Sequence, residues 1–325
     1  MKKILILFGG NSFEHKISCM SAKNILENID RNKYEVTSVG IDYDNKWYLY
    51  KDNVKDLENW KNYTNEEIDN IVTFLKMFDI VFPVLHGANG EDGRLQGMLD
   101  LFNIKYVGCK TLSSSICMDK IFTKYIIHSL QIPQVPFLEI KTNKNLDNVI
   151  KELGFPMIIK PANGGSSIGI SKVHTKKELK SAIKEAKKYD SKVIAEKFIH
   201  AKELECAILE DKKIMASSVG EIKSANEFYD YNAKYENDKS HIIIPAEIEE
   251  SIEKQIQEYA KKAFIGINAS SLSRVDFLYD EKNNQIYLNE INTLPGFTFA
   301  SMYPKLFLYN GYSYQSLITT LIENA

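Results

Sequence analysis

Ser273-Arg-Val-Asp-Phe-Leu-Tyr279 and Gln285-Ile-Tyr-Leu-Asn289 read as two neighbouring strands, the second ending in Asn289-Glu-Ile-Asn292. Alternate residues of a strand share a face, so Arg274 and Asp276 point one way, as do Glu290 and Asn292. If the strands pair, one patch holds two carboxylates, an amide oxygen and a guanidinium. Hard oxygen donors with few histidines suit Mg²⁺ or Mn²⁺, and Mg²⁺ usually keeps phosphate oxygens and water beside one or two carboxylates. The plain alternative is a cross-strand ion pair, which needs neither Asn292 nor the nearby Pro295-Gly296.

Upstream of this pair, strands are expected at Glu203–Leu209 and Ile214–Gly220, then a polar-aromatic segment from Ser224 to Ser240 and a helix from about Ile248 to Phe264. A last helix is expected near Tyr314–Glu323. The middle of the chain reads as a helix from Ser113 to Leu130, a strand at Met157–Lys160, a glycine-rich turn, a strand at Ile170–Val173, a Lys-rich helix and a strand at Lys192–Glu196. The turn, Lys160-Pro-Ala-Asn-Gly-Gly-Ser-Ser-Ile-Gly169, lets backbone N–H groups approach an anion, and Ser166 and Ser167 add hydroxyl donors. Lys160 would place a positive charge over phosphates; a Gly/Ser hairpin without a ligand is the rival reading. Glu196 and Glu203 flank another strand end, where a carboxylate accepts from ribose hydroxyls or is simply a surface acid.

In the first hundred residues short apolar runs alternate with helical patterns: strands at Lys3–Phe8, Glu35–Ile41, Ile80–Leu85 and Ile104–Val107, helices at Ile17–Ile29 and about Arg94–Phe102. Buried runs alternating with helices predict a doubly wound parallel sheet ending near Gly108. Gly9-Gly10-Asn-Ser-Phe-Glu14-His15-Lys-Ile-Ser18 follows the first strand, and Leu85-His86-Gly87 with Glu91-Asp92-Gly93 follows the third. Both lie at carboxyl ends, where open α/β sheets bind ligands. Glu14 at a helix start can hold an ammonium; a lone His86 is as readily structural.

Composition bounds the rest. The chain has 325 residues, 41 Lys plus Arg against 43 Asp plus Glu, and a formal charge of -2. That balance argues against nucleic acid as a partner, and no apolar run reaches the ~18 residues that span a membrane. Met-Lys-Lys followed by only five apolar residues, Ile4 to Phe8, imitates a signal peptide too briefly to be one. Cys19, Cys109, Cys117 and Cys206 form no CxxC pair, so reduced, buried thiols and a cytoplasmic location are expected. The absence of GxxxxGK[ST], of GxGxxG after the first strand and of a Cys/His cluster excludes a P-loop enzyme, a standard dinucleotide site and zinc.

Six pieces in order, GGNSFEHKIS, LHGANGEDGRLQG, the CMDK ending at Lys120, KPANGGSSIG, EFYDYNAKY and RVDF…NEINTLPGFTFASMYP, give the chain a resemblance to the D-alanine–D-alanine ligases of the ATP-grasp superfamily. The resemblance implies an α/β fold: an N-terminal doubly wound substrate domain (1–111), then two α+β lobes of the ATP-grasp type (112–200 and 201–325), the second with a mobile lid at 224–240. It implies ATP and two Mg²⁺ (or Mn²⁺) ions, two molecules of D-alanine as substrates, and a homodimer. Lys120, Lys160 and the loop with Ser167 would contact phosphates, Glu196 and Lys197 adenine, Glu203 ribose, and Asp276, Glu290 and Asn292 the metals. Glu14, linked to Ser166 and Tyr235, would bind the first ammonium, and His86 would lie near its carboxylate. Arg274 and the N–H of Gly296 would stabilise the oxyanion.

The same scaffold makes D-alanyl-D-serine and D-alanyl-D-lactate in resistance relatives. Lys234-Tyr235 resembles the lid of ligases that accept D-alanine, and Ser301-Met302 puts an apolar side chain where resistance ligases commonly carry arginine. The expectation is D-alanyl-D-alanine for peptidoglycan precursors. The alternatives are a D-alanine–D-serine ligase, another ATP-grasp carboxylate–amine ligase, or an inactive binding protein of the same fold.

Overall fold

The computed structural model describes residues 1–51, 54–141, 146–223 and 241–325. Strand β1 (Lys2–Gly9) is followed by helix α1 (His15–Asn28) and a parallel partner, β2 (Tyr34–Ile41). β3 (Trp47–Tyr50) and β4 (Thr64–Glu67) extend that side antiparallel, and β5 (Ile80–Pro83) returns parallel on the other side of β1. The order β4-β3-β2-β1-β5 keeps the expected parallel centre but adds an antiparallel edge. Two four-residue strands are too short for a periodicity to announce them. The strand expected at Ile104–Val107 is one parallel bridge, Val81 to Tyr106, before Gly108 (φ +118°) turns the chain away.

Both faces of β1 are buried, which is why its sequence is continuously apolar. Ile4, Ile6 and Phe8 enter one core, Leu5 and Leu7 the opposite one. After α2 (Ile71–Leu75) and α3 (Arg94–Leu101), the helix expected from Ser113 to Leu130 is broken. α4 (Thr111–Met118) and α5 (Lys120–Ser129) meet at Asp119, whose Oδ1 accepts from the N–H groups of Ile121 and Phe122 at 3.0 and 3.2 Å. A carboxylate that caps a new helix ends the old one.

The second sheet is wholly antiparallel, in the order β6 (Phe137–Glu139), β9 (Val193–Lys197), β7 (Met157–Pro161), β8 (Ser171–Val173), and it packs on α6 (Leu146–Leu153) and α7 (Lys176–Ala186). The third runs β12 (His241–Ile243), β11 (Ile214–Lys223), β10 (Lys202–Glu210), β13 (Leu272–Asp280), β14 (Gln285–Asn292). One face lies on α8 (Glu250–Gly266), burying Val275, Phe277, Ile286 and Leu288. α9 (Met302–Tyr309), which the sequence did not announce, and α10 (Tyr314–Glu323) join Ile4, Ile6 and Phe8 in a single core. Among the described residues no helix is long and apolar enough to cross a membrane. All four cysteines are free; Cys117 is half-buried rather than buried.

Gly40 in β2 faces the ring of Trp60, and a Cβ there would stand 2.5 Å from its Cε3. Trp60 cannot retreat: it is 2% exposed, packs edge-on against Phe8, and donates its Nε1–H to His15 Nε2 at 3.2 Å. Gly40→Ala is expected to lower stability by about 1–3 kcal/mol, read from the urea midpoint.

Candidate active site

β2 and β5 flank β1, so a crevice opens at the carboxyl ends of β1 and β5. Gly9 and Gly10, both at φ +89°, bend the chain there, and the N–H of Gly9 donates to Ser18 Oγ at 2.7 Å. Glu14 precedes α1 without capping it; its Oε1 accepts from Ser166 Oγ at 2.5 Å. A Cβ on Gly87 would come within 2.9 Å of Glu14 Oε2, and one on Gly165 within 3.0 Å, so the carboxylate occupies a slot that two glycines leave open. His86 is buried, with Nε2 3.1 Å from Ser21 Oγ and Nδ1 3.2 Å from the Leu294 carbonyl and 3.7 Å from Glu91. Burial opposes the imidazolium, but Glu91 and Glu14 outweigh it and raise the His86 pKa.

The glycine-rich turn links β7 to β8, with Ser166 and Ser167 left-handed at φ +52° and +59°. Lys120, the first residue of α5, donates to the Gly164 carbonyl at 2.6 Å. Glu196 is no surface acid: it is 4% exposed and lies between Lys160, at 2.7 Å, and Lys124, at 2.9 Å. Burial alone would raise its pKa; the two ammonium groups prevail and hold it down at about 2. Lys197 is exposed at the end of β9, and Glu203 is half-buried on β10.

On the third sheet Arg274 pairs in register with Asn292, and Asp276 with Glu290. Next to them Phe277 pairs with Leu288, so Asn289 is an extra residue, a β-bulge. Arg274 grips Asp276 bidentately, Nε to Oδ1 and Nη2 to Oδ2, both at 2.7 Å, and Asn292 Nδ2 donates to Asp276 Oδ2 at 2.9 Å. The same Nε lies 2.8 Å from Glu205 Oε2. The ion pair held open as an alternative is therefore present, both within β13, to Asp276, and across strands, to Glu205 of β10. Among the described residues no group of three His, Cys, Asp or Glu is gathered to hold a metal by itself. Asp276 and Glu290, direct cross-strand neighbours, with Asn292 beside them, nevertheless offer the oxygen set of a hard divalent cation whose remaining positions are filled by phosphate and water.

Gly296 follows in the next loop, where a Cβ would meet Ser301 Oγ at 2.7 Å. Ser301 Oγ accepts from the Thr298 N–H at 3.0 Å, and Met302 is buried with its sulfur over Gly220. Every predicted site residue among those described lines one cleft between the three sheets. Lys234 and Tyr235, with the whole 224–240 segment, lie outside the described residues. Two participants were missed. Lys124 is four residues after Lys120 and shares its helix face; Glu205 is two after Glu203 and shares its strand face. Those spacings were the available signals.

Glu196→Gln leaves two buried ammonium groups without their shared counter-ion, with an expected loss of about 3–5 kcal/mol in denaturant unfolding. A depressed carboxyl contributes stability fully above its ordinary value of 4.5 and loses it as pH falls toward about 2. The gap between wild type and Glu196→Gln should accordingly narrow across that window; a gap independent of pH would refute the assignment.

The family model described as D-ala D-ala ligase N-terminus matches residues 3–109, and that described as D-ala D-ala ligase C-terminus matches residues 126–323. A D-alanine–D-alanine ligase of Thermoanaerobacter sp. (strain X514) is 44% identical over 100% of this chain and 96% of its own. D-alanine–D-alanine ligase B of Clostridium tetani is 44% identical over 99% and 93%. Among solved structures, the VanG D-Ala:D-Ser ligase of Enterococcus faecalis superposes with a TM-score of 0.88 at 37% identity, covering 99% of this chain and 98% of that one. The D-alanine–D-alanine ligase of Coxiella burnetii gives 0.85 at 32%, covering 99% and 93%. Matched nearly end to end by both halves of the family model, the chain belongs to the D-alanine–D-alanine ligase family.

Proposed function

We propose that this cleft uses ATP to activate the carboxylate of one D-alanine and joins it to the amine of a second, giving D-alanyl-D-alanine, ADP and phosphate. The observation that carries the reading is the facing of two walls: Glu14 with Ser166 on one, Arg274, Asp276, Glu290 and Asn292 on the other. A carboxylate repels an attacking amine, so transfer of the γ-phosphoryl group to it creates an acyl phosphate with a good leaving group. Lys120, Lys160 and Ser167 hold the phosphates in line, and Lys197 and Glu203 hold the nucleoside. Mg²⁺ or Mn²⁺, held by Asp276, Glu290 and Asn292, supplies charge neutralisation on the phosphoryl oxygens when bound.

Glu14 binds the ammonium of the first D-alanine, and His86, whose pKa Glu91 raises against the opposing effect of burial, faces its carboxylate. The second amine attacks the acyl carbon, the tetrahedral oxyanion is met by Arg274 and the Gly296 N–H, and phosphate departs. Lys234 and Tyr235 belong to the same reading as contacts of the second substrate. Family resemblance also supports a homodimer.

D-Alanine as the second substrate is supported by Met302, a buried apolar wall of the cleft that offers a methyl group contact and a serine hydroxyl no partner. Purified protein given ATP, D-alanine and D-serine at equal concentration is expected to make mostly D-alanyl-D-alanine; a majority of mixed dipeptide would overturn the choice. Phosphate release from ATP should depend on D-alanine, and its absence with Mg²⁺ present would favour a binding protein. Glu290→Gln is expected to reduce kcat by about 100-fold or more with little change in thermal midpoint, because it touches a strand end and not the core.

A further inference from the structure

Arg274 has more counter-charge than one carboxylate supplies. In register, Asp276 of β13 pairs with Glu290 on one side and with Glu205 of β10 on the other. Residues directly opposite share a face, so the three carboxylates form a row across three strands, with Arg274 beside the middle one. Its Nε donates to Asp276 Oδ1 at 2.7 Å and forms an ion pair with Glu205 Oε2 at 2.8 Å, while Nη2 donates to Asp276 Oδ2. Glu205 is 7% exposed, so this is a buried contact.

Asp276 is therefore asked to do two things. Both of its oxygens serve Arg274, and Oδ2 also accepts from Asn292, yet the proposed reaction needs the same oxygens on a divalent cation. A guanidinium left with no buried partner would make that exchange costly. We propose that Glu205 is a positioning residue for the reaction: it retains Arg274 through Nε while Asp276 turns to the metal. Nη2, released from Asp276, is then the donor that meets the oxyanion. Glu205 touches neither substrate nor metal; it acts through Arg274.

The inference rests on the reading of Asp276 as a metal-binding carboxylate, and one experiment separates the two. Mn²⁺ binding is followed by the electron paramagnetic resonance of the free ion, with ADP present and D-alanine absent, so turnover plays no part. Glu205→Gln is expected to weaken Mn²⁺ binding by about ten-fold, because Arg274 then competes for Asp276 with no substitute. In an Arg274→Gln background the same change should alter binding less than about two-fold, because the competitor is gone. Equal weakening in both backgrounds overturns the proposal, as a direct ligand or a purely structural residue would behave that way. No weakening in either background overturns it too. Asp276→Asn with unchanged Mn²⁺ affinity would instead sink the metal reading beneath it. Should Glu205→Gln fail to fold, Arg274→Gln alone decides: tighter Mn²⁺ binding than wild type is expected, and looser binding counts against the competition.

Discussion

A strand shows every second residue to the same side. In a regular β14, Ile286, Leu288, Glu290 and Asn292 would therefore all face one way, and an apolar core and a charged cleft would have to share a surface. The extra residue at Asn289 removes the conflict. Ile286 and Leu288 turn onto α8, whereas Glu290 and Asn292 turn to the face that carries Arg274 and Asp276. Burying a leucine or isoleucine is worth about 1.5–3 kcal/mol each, and leaving a carboxylate in that core would cost more than either gains. The bulge thus ties the packing of the C-terminal sheet to the placement of its chemistry; neither is available in the other register.

The same sheet is anchored to the first one. α9 and α10 are buried with β1 and α1, so the loop between β14 and α9 lies against the crevice of the N-terminal sheet. Asn24 Nδ2 donates to the Phe297 carbonyl at 2.8 Å, the Phe297 N–H donates to Ser21 Oγ at 3.1 Å, and His86 Nδ1 meets the Leu294 carbonyl. Pro295 and Gly296 are held between these ties. The residues assigned to the first substrate and the Gly296 N–H assigned to the oxyanion consequently share one hydrogen-bonded frame, as positioning within a fraction of an ångström requires. The central sheet meets that frame at Ser166 to Glu14, at the edge-on pair Phe13–Tyr189, and through α5, whose Ile127 is buried in the core of the third sheet.

Much of this was legible in the sequence, and the reasons are specific. β1, β13 and the glycine-rich turn stand out because burial and φ > 0 demand particular residues at particular positions. The parity change in β14 was not read, although the spacing of Ile286, Leu288 and Ile291 carries it. What stayed hidden depended on partners distant in sequence. Nothing local distinguishes Asp119 from any helical aspartate until two free N–H groups lie next to it. Glu205 and Lys124 were passed over, because a lone acid in a strand or lysine in a helix is usually solvated. Only the pairing of β10 with β13, and of α5 with the second sheet, shows that each is enclosed. The short β3 and β4 carry too few residues for a pattern at all.

Among the described residues the enclosed charges differ in sign from wall to wall. On the central sheet two ammonium groups, Lys124 and Lys160, share the single carboxylate of Glu196, with Lys120 adding a further cation at the turn. On the third sheet three carboxylates, Glu205, Asp276 and Glu290, stand with one guanidinium. Among the described residues the central sheet thus gathers ammonium groups and the third sheet carboxylates, beside a cleft whose low-dielectric sides concentrate the field. A triphosphate carrying a divalent cation has the matching polarity, anionic toward the lysines and cationic toward the acids. A bare anion would gain from one wall and be repelled by the other. On the function proposed above, such an arrangement would favour a metal–nucleotide complex over either component alone, with its phosphate chain toward Arg274.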